Sequence, residues 1–308
     1  MNKTSLITKE WLCNLALSKN SLILEALLRR GFLAYQDENS LWLGTGSHLD
    51  DIKILNLIHG IQVVPLIDRH QDKFAEIKIL ANIDYKNLAL LILAIPENHI
   101  NEDMRMTSIG LNGRISSNWA SYVAMAWGAK MAVCPVSHSY RRISYEELIK
   151  EPNENALDFG IALLVKAFPL ARVATTLSCD GHGNRPAYIS FHFKWDPLWA
   201  SAIFNTLFKK SIRSIWNFES NGLSGELNIR PIDSFSDASI KEMLDDIQYF
   251  ARKLMDPQNI IKIGVARKKT LEMLSHYDIP SKQSSEEFTK VALLNLSCLA
   301  PKKSNENI

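Results

Sequence analysis

The sequence predicts an α+β fold in which small antiparallel sheets and hairpins pack against apolar helices. Segments that favour β structure occur in pairs around short turns, and apolar residues recur at helical spacing between them. Hydrophobic residues make up 46% and charged residues 22% of the 308-residue chain, an ordinary composition for a globular protein. A chain of this length can bury a full core without disulfides or metals.

The first hundred residues are predicted to form a mixed unit with a small sheet. Helical spacing runs through residues 1–30 and stops at Gly31, and a second helix is expected at 50–58. Strands are expected at 32–35, 41–44, 61–67, 76–79 and 88–95.

The middle of the chain begins with a polar stretch, residues 98–118, which is predicted to be a loop. A helix is expected at about 119–131, and the capping box Ser144-Tyr145-Glu146-Glu147 predicts the start of a short helix. Residues 156–168 are predicted to form a strongly apolar helix that ends at Pro169.

Two β-hairpins dominate the C-terminal part. The first has strands at 172–178 and 187–195 with an irregular tip, and the second has strands at 214–219 and 226–232. Further helices are expected at 197–208, from a cap at Ser239 to about Met255, and after a cap at Ser284.

These elements predict two units and a tail. Residues 1–98 form an N-terminal mixed α/β unit, and residues 119–300 form an α+β unit that carries the hairpin with Cys179 and His182. Residues 301–308 form a polar tail. The polar stretch between the two units is the best candidate for the boundary.

Charge and cysteine usage predict a cytoplasmic protein without a membrane partner. Lys and Arg total 35 against 33 Asp and Glu, so no overall field attracts nucleic acid or an anionic membrane. The short basic runs lack interleaved aromatic residues, which argues against nucleic-acid binding. The four cysteines follow no disulfide spacing, and the N-terminus lacks the apolar stretch of a secretory signal.

The tip of the first hairpin is the most informative stretch for function. Its glycines, Gly181 and Gly183, flank a histidine and allow a ligand to approach the backbone closely. Apolar strands on both sides anchor this loop, which is where function often lies. The polar or ionisable side chains at the tip are those of Ser178, Cys179, Asp180, His182, Asn184 and Arg185.

The segment from Thr175 to Gly183 resembles a Thr-x-x-Ser-Cys-x-Gly-His-Gly hairpin of poorly characterised bacterial and phage proteins. The resemblance covers about 20 residues, including the strand that starts near Arg185. It implies no activity, but it adds weight to the interpretation of the tip as a site.

Two kinds of catalytic site fit these residues. In the first, Cys134, His138, Cys179 and His182 supply the two sulfurs and two imidazoles of a tetrahedral zinc site, and water at such a site permits catalysis. In the second, Cys179 is a nucleophile with His182 or His138 as its base. Arg185 would favour the thiolate, whereas Asp180 would oppose it.

Simple binding of a phosphate or carboxylate ligand asks least of the sequence. Arg185, Asn184 and the glycine amides are the candidate donors, and Arg172 joins them if it faces the same way. Glu219 and Glu226 bracket the turn of the second hairpin, and one of them is expected to approach His182 if the second hairpin pairs beside the first.

Two functions from different classes therefore stay open. One is an enzyme, a hydrolase or transferase, that acts on a small polar or phosphorylated ligand through Cys179, Asp180, His182 and Arg185, with zinc as one option. The alternative is a non-catalytic binding or interaction protein with a protein partner, such as a host-manipulating or mobile-element accessory.

Overall fold

The computed structural model describes residues 7–8, 10, 17–37, 40–44, 49–65, 74–95, 158, 160–191, 195–208, 212–220, 225–274 and 282–297. In these residues the chain has eight helices and two four-stranded antiparallel sheets, which confirms the predicted α+β fold. The predicted loop at 98–118, helix at 119–131, capping box at Ser144 and polar tail lie outside the described residues.

The first sheet has the strand order β1-β2-β4-β3 and is covered by helices. Helix α1 ends at Gly31, which adopts φ 99° as predicted for a helix stop. The elements are α1 (Lys19–Arg30), β1 (Ala34–Asp37), β2 (Ser40–Gly44), α2 (Leu49–Asn56), β3 (Ile61–Pro65), β4 (Phe74–Ile79) and α3 (Tyr85–Ala94).

The predicted strand at 88–95 is wrong, because these residues belong to helix α3. The Asp84 side chain caps this helix by accepting hydrogen bonds from the N–H groups of Lys86 and Asn87. A continuous apolar run does not distinguish a buried strand from a helix. The burial pattern does: Leu88, Ala89, Ile92 and Leu93 are buried, and Leu91 is exposed.

The second sheet has the order β5-β6-β8-β7 and carries the candidate site. Both predicted hairpins are confirmed, and they pair with each other through β6 and β8. The elements are α4 (Ala162–Ala167), β5 (Thr175–Cys179), β6 (Ala187–Phe191), α5 (Asp196–Leu207), β7 (Ser214–Ser220), β8 (Gly225–Pro231), α6 (Asp237–Met255), α7 (Pro257–Met273) and α8 (Lys282–Leu296).

Several predicted helix starts in this part are wrong. Ser236, not Ser239, caps α6, and its hydroxyl accepts the N–H of Ser239. Helix α8 begins at Lys282, so Ser284 lies inside it. In the segment 156–168, helix α4 begins at Ala162, the described residues 158, 160 and 161 before it are not helical, and a 3₁₀ turn (Phe168–Ala171) that contains Pro169 follows it. No bounds were predicted for helix α7.

An aromatic cluster supports the second sheet from the helix side. The inward residues of β6 are buried, whereas Tyr188 and Ser190 between them are half-buried on the outer face. The rings of Phe168 and Phe250 meet edge to face, 6.1 Å apart, and Phe168 also contacts Phe191. The first hairpin therefore stands on a closely packed base.

One hydrophobic core cluster includes residues of both sheets and of the helices around them. No helix in the described part of the chain combines the length and the apolar character needed to span a bilayer.

Candidate functional site

Antiparallel strands hold the two ends of the hairpin tip. Ser178 pairs with Ile189 and Cys179 pairs with Tyr188. Strand β5 ends at Cys179 and β6 begins at Ala187, so the seven residues 180–186 connect the strands. Neighbouring residues of a strand point to opposite faces. Ser178 therefore lies on the inner face with Ile189, where it is fully buried, and Cys179 lies on the face of Tyr188.

The tip is a left-handed turn. Gly181, His182 and Gly183 have φ angles of 73°, 53° and 76°, and such a conformation is unfavourable for a histidine. A side chain at position 181 has no room, because a Cβ there would lie 2.9 Å from the carbonyl oxygen of Pro186. The Asp180 carboxylate holds the turn by accepting the His182 N–H at 2.8 Å.

A residue far from the hairpin in sequence, Asp158, completes the site. Its Oδ2 accepts the N–H of Asp180 at 3.1 Å, and Oδ2 of Asp180 accepts the N–H of Gly160 at 3.2 Å. These two buried hydrogen bonds tie the segment before α4 to the hairpin tip. They bring a second carboxylate beside the thiol and the imidazole.

The ligand atoms of four residues converge: Asp158, Cys179, Asp180 and His182 each offer one atom within 4.8 Å of the others. The Nε2 atom of His182 lies 3.5 Å from the Cys179 sulfur and 3.9 Å from Asp158 Oδ2. Its Nδ1 atom faces Asp180 Oδ1 at 3.3 Å. The two ring nitrogens of His182 therefore have different partners.

Arg185 is the cation that faces this cluster from the same turn. Its Nη2 group donates to the Cys179 sulfur at 3.3 Å, while the residue itself is exposed. Cys179, Asp158 and Asp180 are buried, whereas the His182 side chain is 40% exposed. His182 and Arg185 thus form the side of the cluster that solvent can reach.

Negative charge is concentrated at the cluster. The pKa of the Asp158 carboxyl is raised to about 8, first by burial and then by the negative charges of Asp180 and Cys179. A hydrogen bond with Cys179 adds to this increase, and the N–H of Asp180 opposes it. Near neutral pH, metal-free protein therefore keeps a proton on Asp158.

This raised pKa predicts how the stability of the metal-free protein depends on pH. Between about pH 4 and pH 8 the folded protein holds a proton that the unfolded chain has lost, so stability falls as the pH rises through this range. We expect Asp158→Asn, which keeps an acceptor for the Asp180 N–H, to raise the free energy of unfolding by about 1–2 kcal/mol above pH 8.

Urea unfolding of chelator-treated protein at several pH values measures this effect. A wild-type protein as stable above pH 8 as at pH 6, together with a variant less stable at every pH, would contradict the expectation.

The structure brings together only some of the predicted site residues. Cys134 and His138, the other half of the predicted zinc set, lie outside the described residues. The Arg172 guanidinium lies against Gly264 of α7, beyond the opposite end of β5 from Cys179. Glu226 pairs with Ser190 and Glu219 pairs with Glu226, so both of these glutamates also lie away from the tip. Asn184 is exposed beside the cluster.

Sequence reasoning missed Asp158, although one signal was there. It is an acidic residue in the apolar segment 156–168, and burying a carboxylate calls for a partner. The resemblance of the hairpin to bacterial and phage proteins stays a prediction. Comparison of the chain with protein-family models, with curated proteins and with solved structures finds no match.

Proposed function

We propose that Asp158 and the hairpin tip form the zinc centre of a hydrolytic enzyme that acts on a small polar or phosphorylated substrate. The observation that carries this proposal is the convergence of a thiol, an imidazole and two carboxylates within 4.8 Å. Thiolate, imidazole and carboxylate are the three kinds of ligand that zinc takes from proteins.

The distances support Cys179, His182 and Asp158 as the ligands. In a tetrahedral zinc complex the usual bond lengths separate a sulfur from a nitrogen ligand by about 3.5 Å, and a nitrogen from an oxygen ligand by about 3.4 Å. The sulfur of Cys179 lies 3.5 Å from His182 Nε2, which fits this geometry. Oδ2 of Asp158, at 3.9 Å from Nε2, would have to move closer by about half an ångström.

Asp180 would act on the metal through His182. A histidine that binds metal through one ring nitrogen usually donates the other N–H to a carboxylate, which fixes the tautomer and the ring orientation. Asp180 Oδ1, 3.3 Å from Nδ1, is placed for this role. Three protein ligands leave one position for water or substrate, as in catalytic zinc sites, and the exposed side of His182 gives access to it.

A second candidate mechanism uses Cys179 as a nucleophile. Its sulfur, the His182 ring and Asp180 follow each other in the order nucleophile, base and orienting carboxylate, at 3.5 and 3.3 Å. Arg185 beside the sulfur favours a thiolate. However, Cys179 is fully buried, and a ligand role requires less access to the sulfur than attack on a substrate.

Metal analysis of the full-length protein tests the proposal. We expect one zinc per chain, and we expect Cys179→Ser, His182→Asn and Asp158→Asn each to weaken zinc binding about a hundredfold or more, since each removes a ligand. Asparagine suits position 182 because it tolerates the left-handed conformation. Asp180→Asn should weaken binding by about 10–100-fold, as expected for a residue that orients a ligand.

Asn184→Ala is the matched control, because Asn184 is exposed on the same turn and offers no ligand. Cobalt substitution should give a sulfur-to-metal absorption band that disappears in Cys179→Ser. Wild-type protein free of metal, with Cys179 readily alkylated, would reject the zinc centre and favour the nucleophile. Tightly bound zinc without turnover of any ester or amide substrate would favour a non-catalytic binding protein.

A further inference from the structure

The strand register connects the proposed centre to the outer face of the second sheet. Cys179 pairs with Tyr188, Tyr188 pairs with Asn228, and Asn228 pairs with Asn217, so these four residues form one row across four strands. Adjacent strands are about 4.8 Å apart, so the row extends about 14 Å from the thiol. A row of this length can contact a molecule that is much larger than water or a small ion.

This row is polar and partly open to solvent. Tyr188 and Asn228 are half-buried and Asn217 is exposed, whereas their strand neighbours Ile189 and Trp216 are buried on the inner face. The asparagine amide groups are oriented by neighbouring glutamates, to which their nitrogens donate: Asn228 to Glu226 at 2.8 Å and Asn217 to Glu219 at 2.7 Å.

Because the amide nitrogens donate to the glutamates, the amide oxygens of Asn228 and Asn217 are left as acceptors. Acceptors of this kind suit a molecule that carries hydroxyl groups.

Two arginines flank the row at the hairpin tip. Arg185 donates to the Cys179 sulfur at 3.3 Å. Continuing the pairing of Ala187 with Ile229 by one residue places Arg230 beside Pro186, the neighbour of Arg185. Arg230 is exposed, and among the residues that the structure describes its side chain makes no hydrogen bond or ion pair. Arg213, by contrast, pairs with Glu242 at 3.4 Å.

We infer that this face binds a phosphate monoester that carries hydroxyl groups, with Arg185 and Arg230 holding the phosphoryl group beside the proposed centre. Guanidinium groups bind phosphate oxygens through paired, charge-assisted hydrogen bonds. A phosphoryl dianion has three terminal oxygens, enough for two arginines and a metal, whereas a carboxylate has two.

The position of the reacting bond rests on the proposed function, but the two arginines and their register do not. The phosphoryl group would lie at the solvent-facing side of the cluster, beside His182 and Arg185, and the organic part would lie along Tyr188, Asn228 and Asn217. An aromatic face and amide oxygens are suited to the apolar and hydroxyl parts of such a molecule.

Binding of inorganic phosphate to the full-length protein, followed by phosphorus NMR or calorimetry, tests the inference. We expect Arg230→Gln to raise the Kd of phosphate about tenfold, since it removes a hydrogen bond between charged groups. Arg185→Gln should have an effect of similar size. Arg213→Gln is the matched control, because it removes the same charge from an exposed arginine and should change the Kd by less than about twofold.

Equal effects of Arg230→Gln and Arg213→Gln, or no phosphate binding by wild-type protein, would overturn the inference. Acetate that competes as well as phosphate would overturn the choice of a phosphoryl group. Zinc content, measured in the same samples, separates this inference from the proposed function. If wild-type protein is metal-free and its phosphate binding still depends on Arg230, the zinc centre is rejected and the phosphate site is supported. If the protein binds zinc but its phosphate binding does not depend on Arg230, the zinc centre is supported and the phosphate site is rejected.

Discussion

Replacing Arg267 with methionine is expected to lower the free energy of unfolding by about 3–5 kcal/mol, because it leaves the Asp196 carboxylate buried without its cation. Arg267 lies on α7 and Asp196 is the first residue of α5, and their side chains are 6% and 2% exposed. The Nη2 group of Arg267 lies 2.6 Å from Asp196 Oδ1.

The partners of this pair make the expected loss larger than that of a surface ion pair. The other oxygen of Asp196 accepts the N–H of Ala174, just before β5, at 2.8 Å. The guanidinium lies over the rings of Trp199 and Phe288, 5.2 and 5.6 Å from their centres. The network therefore joins α5, α7 and α8 to the first hairpin.

Burial opposes this ion pair even in the intact protein. It raises the pKa of Asp196 to about 6, although Arg267 and the Ala174 N–H lower it. The cost of burying the two charged groups therefore offsets much of their mutual attraction. When only the cation is removed, the cost of burying the Asp196 carboxylate remains and the attraction is lost. In Arg267→Met the pKa of Asp196 should be higher still, so above about pH 6 the folded variant holds a proton that folded wild type has lost. The variant should therefore recover stability relative to wild type as the pH falls towards about 6, with no further recovery below it.

Urea unfolding of both proteins at pH 8 and pH 6 measures both effects. The double variant Asp196→Asn with Arg267→Met keeps an acceptor for Ala174 and should recover most of the loss. Lys268→Met, at an exposed neighbour on the same helix, should change stability by about 0.5 kcal/mol or less. Equal losses in Arg267→Met and Lys268→Met would contradict the role of the buried pair.

The sequence predicted the parts of the site that are local along the chain. Cys179, Asp180 and His182 lie within four residues, so a hairpin tip brings them together whatever the rest of the chain does. Buried and more exposed residues alternate along the strand that follows the tip, as in a strand with one face on the core. A glycine on each side of the histidine permits the left-handed turn. The hairpin and the cluster of polar groups at its tip could be predicted for this reason.

The parts that depend on tertiary packing could not be predicted. Asp158 reaches Cys179 only because α4 and the 3₁₀ turn reverse the chain between them. The pairing of β8 with β6 carries Arg230 to the end of the sheet at which the tip lies, and nothing in either hairpin specifies which strand pairs outside it. In both cases the sequence shows a residue of a suitable type, but it does not show how far that residue lies from the hairpin tip.

Two helices show why local patterns failed. The apolar run at 88–95 has residues that suit either a strand or a helix. It forms helix α3 because one helical face, with Leu88, Ala89, Ile92 and Leu93, packs into the core. Helix α7 contains the β-branched residues Ile260, Ile261, Ile263 and Val265 together with Gly264, all of which weaken a helix signal. Its burial of Ile263, Ala266 and Arg267 against the core outweighs those preferences.

Lys166→Met is the second substitution for which we expect a loss of about 3–5 kcal/mol, since it removes the cation from a second buried carboxylate. Lys166 lies on α4, and its Nζ atom bonds both oxygens of Asp51 on α2, at 3.2 and 2.9 Å. The two side chains are 0% and 1% exposed. Nζ also lies 5.4 Å from the centre of the Phe32 ring.

This pair connects the first sheet and its helices to the segment that carries Asp158. Asp158 and Gly160 reach the hairpin tip just before α4 begins, so the position of α4 helps to set the position of the Asp158 carboxylate. We therefore expect Lys166→Met to weaken zinc binding as well as stability. Arg267 lies near the other end of β5, away from the zinc centre. We therefore expect Arg267→Met to lose about as much stability as Lys166→Met but less zinc affinity.

Unfolding in urea and zinc titration of the same samples separate these contributions. Asp51→Asn combined with Lys166→Met removes both charges and should recover most of the stability, because no buried charge is then left unpaired. Lys262→Met, at an exposed position of α7, is the control for loss of a lysine charge. If Lys166→Met unfolds no more easily than Lys262→Met, the Asp51 pair does not hold α4 in place. If it loses stability but binds zinc as wild type does, Asp158 is positioned by the hairpin alone, through the N–H of Asp180.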